Sequence, residues 1–62
     1  MKVRTESGSL YELDLEAKTV YLPDGRVKTF EGITEPELGK SLFISYPSGS
    51  WRRTSPVVEV DG

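Results

Sequence analysis

Three clusters of turn-forming residues punctuate this chain: Ser7-Gly8-Ser9, Pro23-Asp24-Gly25 and Pro47-Ser48-Gly49-Ser50. Glycine supplies positive φ at no steric cost, and proline, aspartate and serine bias the backbone into turns. Between the clusters, apolar and polar residues alternate with a period of two, the spacing that puts successive side chains on opposite faces of a sheet. A ladder of this kind dictates antiparallel hairpins. With 62 residues there is room for one domain, covering residues 1–62.

The first two strands read as Met1 to Glu6 and Leu10 to Leu15. If Ser7-Gly8-Ser9 forms the loop, Val3 faces Leu13, Thr5 faces Tyr11 and Met1 faces Leu15. The other face then sets Arg4 against Glu12 and Lys2 against Asp14, so apolar meets apolar and plus meets minus. Glu16-Ala17, as a tight or slightly longer loop, leads into Lys18 to Leu22, with Val20 opposite Leu13 and Leu22 opposite Tyr11. Asp24-Gly25 predicts a type I′ turn, in which both central residues need positive φ. That turn sets Leu22 against Val27, Val20 against Thr29 and Tyr21 against Lys28. It leaves Phe30 out of phase with Val27, at a bulge or on the outer face. On this reading Gly25→Val costs more stability than Gly49→Val, because the longer loop has other solutions.

Ile33 to Leu38 reads as a single helical turn capped by Thr34, with Pro36 where a missing N–H is harmless and Gly39 as its stop. Ser41 to Tyr46 is the next strand. The turn Pro47 to Ser50 makes Tyr46 and Trp51 a cross-strand pair. The last strand, Trp51 to Val60, is interrupted at Pro56, which cannot donate to a ladder and marks an edge, a bulge or a change of sheet. The expected fold is all-β: a small SH3-like meander barrel of five or six antiparallel strands, with an OB-like barrel as the alternative. The expected core is Val3, Leu13, Leu15, Val20, Leu22, Val27, Leu42, Ile44, Val58 and Val60.

Composition narrows the chemistry more than it names it. There is no His and no Cys, which removes disulfides, His- or Cys-ligated metals and the usual bases for a serine nucleophile. Gly39-Lys40-Ser41 has the ending of a phosphate loop, but the required earlier Gly is Thr34 and a strand, not a helix, follows. Glu12, Asp14 and Glu16 alternate along one strand as a solvated charge ladder rather than an acid/base pair. Arg52-Arg53-Thr54-Ser55 matches a basophilic kinase pattern but falls inside a strand. The expectation is a protein without catalytic residues or cofactor. Its net charge of −2 with interspersed signs describes an ordinary soluble surface. No apolar run approaches the roughly 20 residues of a membrane span, and the N-terminal segment lacks a signal-peptide core, so a soluble cytoplasmic protein is expected.

One segment has the residue types of a binding surface. Tyr46, Trp51, Arg52 and Arg53 cluster on one hairpin, with Phe43 nearby on the opposite face. Aromatic and arginine side chains bring large contact area, stacking and polar handles. The expected partner is a protein, either a host protein or a second copy pairing through Val57 to Val60. Single-stranded nucleic acid or a small anionic ligand at the same hairpin are the alternatives.

Arg4-Thr5-Glu6-Ser7-Gly8-Ser9-Leu10-Tyr11-Glu12 and Thr54-Ser55-Pro56-Val57-Val58-Glu59-Val60 resemble the opening and closing motifs of short β-proteins of actinobacteria and their bacteriophages. What the resemblance implies is a phage accessory protein; it carries no activity and no residue roles.

Overall fold

A computed structural model describes residues 1–62. It contains strands and turns only: β1 (Lys2–Thr5), β2 (Leu10–Asp14), β3 (Thr19–Tyr21), β4 (Val27–Thr29), β5 (Gly32–Ile33), β6 (Ser41–Ser45) and β7 (Trp51–Asp61). All seven belong to one antiparallel sheet in the order β4-β3-β2-β1-β7-β6-β5. The sheet is not closed into a barrel, since β4 and β5 form its two edges. It is nonetheless strongly curled. Phe30 N–H donates to Lys18 C=O beside β3, and the next residue, Glu31, donates to Ser45 C=O on β6, so consecutive residues bond to strands near opposite edges.

Each cluster of turn residues produces the same hairpin loop. Thr5 N–H donates to Ser9 C=O and Gly8 N–H to Thr5 C=O. Leu22 and Arg26 repeat the pattern around Gly25, as do Tyr46 and Ser50 around Gly49. Gly8, Gly25 and Gly49 have φ of 89°, 90° and 91°. This is a type I turn closed by a left-handed glycine bulge. It corrects the expected register of all three hairpins. In the first hairpin the loop is Glu6-Ser7-Gly8, and Val3 faces Tyr11, Lys2 faces Glu12 and Arg4 faces Leu10. That shift is two residues, so each side chain keeps its face. At Pro23-Asp24-Gly25 the shift is one residue: Tyr21 faces Val27, Val20 faces Lys28 and Thr19 faces Thr29. Pro23 has the φ that the first central position of a type I turn demands, and Asp24 does not take positive φ, so the type I′ turn does not form. Val27 is thereby turned outward and Phe30 inward, which explains why the two are out of phase.

The loop between β2 and β3 keeps the expected register, with Leu13 opposite Val20. It spans Leu15 to Lys18, and Asp14 Oδ1 accepts from Ala17 N–H at 3.0 Å. Lys18 is the one non-glycine residue with positive φ, at 54°. The left-handed region costs a side-chain-bearing residue about 1–2 kcal/mol. Lys18→Gly is therefore expected to raise stability by up to about 1 kcal/mol after the extra unfolded-state entropy of glycine is subtracted. Urea denaturation checks this; a lower midpoint would show that Lys18 is held by something other than its loop.

No helical turn forms at Ile33 to Leu38. Ile33 pairs with Ile44, Thr34 N–H donates to Phe43 C=O, and Thr34 Oγ1 accepts from Phe43 N–H. The threonine hydroxyl thus extends a ladder instead of capping a helix. Pro36 disfavours helical φ and ψ at the residue before it. Gly39, at φ 83°, closes a turn in which Lys40 N–H donates to Glu37 C=O.

β7 passes through Pro56 without ending. Its first half pairs with β6, from Ser45 opposite Trp51 to Ser41 opposite Pro56. Its second half pairs with β1, from Thr5 opposite Val57 to Lys2 opposite Asp61. Both ladders shift register beside Pro56, between Ser41 and Phe43 and between Arg4 and Thr5. Pro56 is thus the point where the strand changes partners, one of the expected outcomes. The bulges also reverse the inward and outward phase. Thr54 and Val57, three positions apart, are both buried, whereas Val58 is exposed and Val60 lies at the margin opposite Val3.

The core comprises Val3, Tyr11, Leu13, Val20, Leu22, Phe30, Leu42, Ile44, Tyr46 and Val57, with Ile33 packed against it. Leu15, Val27, Val58 and Val60, expected inside, are exposed. Buried polar groups are satisfied: Thr54 Oγ1 accepts from Leu42 N–H at 3.0 Å and donates to Ser55 C=O. A chain of hydroxyls joins the first hairpin to β7, with Ser55 Oγ donating to Ser7 Oγ at 3.1 Å and Ser7 sharing hydrogen bonds with Thr5 and Ser9.

Candidate functional site

The β6–β7 hairpin carries its aromatic and cationic residues on two different faces. Its loop is Pro47-Ser48-Gly49, so Trp51 lies opposite Ser45 rather than Tyr46. The expected Tyr46–Trp51 pair therefore does not form. Tyr46 points inward and is 9% exposed, while Trp51 points outward and is 65% exposed. Arg52, opposite Ile44, follows the inner face; Arg53, opposite Phe43, follows the outer one. Residues adjacent in sequence are separated by the pleat.

On the outer face Phe43 and Trp51 stack on each other, with ring centroids 6.1 Å apart and planes inclined by 27°. Phe43 is 42% exposed, so the pair is shared with solvent. The floor beside it is flat because Gly32, opposite Ser45, has no side chain; a Cβ there would lie 3.0 Å from Ser45 Oγ. A shallow open depression of about 350 Å³ follows, lined by Gly32, Thr34, Phe43, Ser45 and Trp51 among others. A second depression on the far side of Phe43 is edged by Glu35, Glu37 and Lys40. Lys40 Nζ pairs with Glu37 at 2.9 Å, and this hydrogen bond, more than the simple attraction of charges, raises the Lys40 pKa. Arg53 takes part in no ion pair, so its charge stands beside the aromatic pair without a carboxylate to neutralise it.

On the inner face Tyr46 closes one end of the core. Lys28 on β4 places its Nζ 5.0 Å from the Tyr46 ring centroid, a cation–π distance. Next to it, Asp24 accepts from Arg26 N–H at 3.0 Å and from Arg26 Nε at 2.7 Å. The backbone hydrogen bond foremost, then the Arg26 side chain and the charge of Arg52, hold the Asp24 carboxyl below its ordinary pKa.

The remaining motifs have structural explanations. Gly39-Lys40-Ser41 is a turn into β6, and its lysine is paired with Glu37. In Arg52-Arg53-Thr54-Ser55 the Thr54 hydroxyl is buried and bonded, and Ser55 Oγ is engaged with Ser7. Asp14 caps its own loop, and no cluster of three or more potential metal-binding side chains occurs. No helix is long and apolar enough to cross a membrane.

Phe43, expected on the opposite face, shares the outer face with Trp51, because its side of the hairpin depends on the loop phase. Pro47-Ser48-Gly49 carried that signal: glycine in the third loop position fixes a three-residue loop and puts Ser45, not Tyr46, across from Trp51. Comparison with models of protein families, with curated proteins and with solved structures finds no match.

Proposed function

We propose that this protein is a non-catalytic binding module that docks on another protein through the outer face of β5, β6 and β7. The observation that carries this reading is the stacked, solvent-exposed pair of Phe43 and Trp51 beside the unpaired Arg53. The fold does not need these rings, because the core is built on the opposite face of the same strands. Large rigid aromatics next to an arginine are the residues that dominate binding energy at protein interfaces. A fitting partner sets an apolar side chain against the ring pair and a carboxylate against Arg53. Glu35 and the Glu37–Lys40 ion pair edge the same face, so together with Arg53 it carries no excess of positive charge for a phosphate backbone, which ranks a protein above single-stranded nucleic acid here. The curled meander, with residues 27–33 passing from one sheet edge to the other, supports an SH3-like arrangement over an OB-like one. A phage-encoded protein acting in the host cytoplasm fits this reading.

The Phe43→Ser/Trp51→Ser variant is expected to keep its strand circular dichroism and to lose less than about 1 kcal/mol, as substitutions at exposed sites do. It is expected to lose a nuclease-resistant partner that the wild type retains in affinity capture. The same partner, once purified, should then bind wild type in titration and show at least tenfold weaker binding to the variant. Equal binding by both proteins, or loss of the partner on nuclease treatment, would overturn the reading.

A further inference from the structure

The strand alternation that builds the core breaks down at one end of the molecule in a single direction. Arg26 lies across from Leu22, Lys28 across from Val20, and Arg52 across from Ile44. All three are inner-face positions, where the period-two pattern calls for apolar side chains, and all three are cations. They lie toward the same end: Lys28 reaches over the Tyr46 ring, Tyr46 N–H donates to Ser50 C=O across the Pro47-Ser48-Gly49 loop, Arg52 follows two residues after Ser50, and Arg26 closes the Pro23-Asp24-Gly25 loop two residues before Lys28. Lys28 thus brings the Pro23-Asp24-Gly25 hairpin up to Tyr46 in the other hairpin.

Arg26 is the one of the three that is paired: Asp24 engages it through its backbone and its side chain. Lys28 and Arg52 have no carboxylate within ion-pairing distance. A chain of net charge −2 therefore carries two unpaired cations at inner-face positions. Arg52 is half-buried, which limits how far its guanidinium can disperse into solvent. Lys28 is held near the tyrosine ring.

We infer that the open surface around Tyr46 is an anion site for a phosphate-bearing ligand, with Arg52 and Lys28 as the ligand-facing pair on either side of the ring. The Arg52 fork matches two phosphate oxygens, and Lys28 adds a point charge from the other hairpin. Asp24 keeps Arg26 turned toward its own loop, which leaves Lys28 and Arg52 to meet the ligand. The phosphate chemistry has two sources: a free polyphosphate group, or the backbone of a single strand.

The test uses the full chain labelled with nitrogen-15, titrated at low salt with inorganic tripolyphosphate and, separately, with oligothymidylate. Saturable shifts are expected at the amides of Arg26, Lys28, Gly49, Ser50 and Arg52, weakening as salt is raised. Lys28→Gln/Arg52→Gln is expected to bind at least tenfold more weakly with an unchanged amide spectrum elsewhere. Binding led by tripolyphosphate identifies a free phosphate group as the ligand; binding led by oligothymidylate identifies the strand backbone. Shifts spread equally over Lys2 and Lys18, no saturation in either arm, or full binding by the double variant would overturn the inference. The Phe43→Ser/Trp51→Ser variant is expected to keep its tripolyphosphate shifts, so failure here and failure of the docking surface can be told apart.

Discussion

Replacing Ile44 by alanine is expected to remove about half of the protein's stability. Ile44 is fully buried in the centre of β6, paired with Ile33 on one side and Arg52 on the other. Truncating an isoleucine at such a site costs about 2–5 kcal/mol, from lost transfer energy and from the cavity left behind. Domains hold about 0.05–0.15 kcal/mol per residue, so a chain of this length has roughly 3–9 kcal/mol in total. No cysteine is present to add a covalent staple. Ile44→Val, at about 0.5–1.5 kcal/mol, is expected to fold with a lower midpoint. Urea titration followed by circular dichroism measures both. A loss below about 1 kcal/mol for the alanine variant would mean that the core is not organised around β6.

Valine at Gly8, Gly25 or Gly49 is expected to cost a similar amount at each site, at least about 1–2 kcal/mol. This replaces the ranking that the sequence suggested, in which Gly25→Val costs more than Gly49→Val. The three glycines share one conformation, with φ between 89° and 91°. A Cβ built at any of them meets nothing within 4 Å, so the cost lies in the backbone and not in a clash. Chemical synthesis offers a sharp control: D-alanine at these positions should be tolerated, because its preferred φ is positive. If Gly25→Val were far more damaging than the other two, the Pro23-Asp24-Gly25 loop would have to be a different turn. If D-alanine were as harmful as L-valine, the positive φ itself would be in doubt.

What could be read from the sequence followed from local chemistry. The turn clusters located three of the five hairpins, and alternation assigned the faces of Val3, Leu13, Val20, Leu22, Leu42 and Ile44. The Glu16-Ala17 region even gave the observed register. The difficulty lay in single-residue phase. Asp24-Gly25 satisfies a two-residue and a three-residue loop, and only Pro23 separates them, through its fixed φ. That one-residue choice exchanged Val27 for Phe30 in the core. The same kind of choice at Pro47 to Ser50 divided the hairpin residues, sending Trp51 and Arg53 to the outer face with Phe43 and leaving Tyr46 and Arg52 inside. Val57 was hidden for a related reason: bulges on both sides of Pro56 reverse the alternation, and their position depends on two different partner strands. The helical turn at Ile33 to Leu38 failed because Thr34 bonds Phe43, a partner remote in sequence.

The division of β7 between two neighbours also bears on how quickly the protein reaches its folded state. The runs β1–β4 and β5–β7 are each assembled from sequential neighbours, so their ladders close short loops. The ladder between β1 and the second half of β7 joins Arg4 to Glu59 and Lys2 to Asp61, near opposite ends of the sequence. Contacts of such separation slow folding, because the chain loses most of its freedom before they repay it. The two local meanders can therefore form early, each with an open edge, and the Arg4–Glu59 ion pair belongs to the step that joins them. Pro56, where β7 changes partners, is the seam between the locally paired and the sequence-distant parts of the sheet.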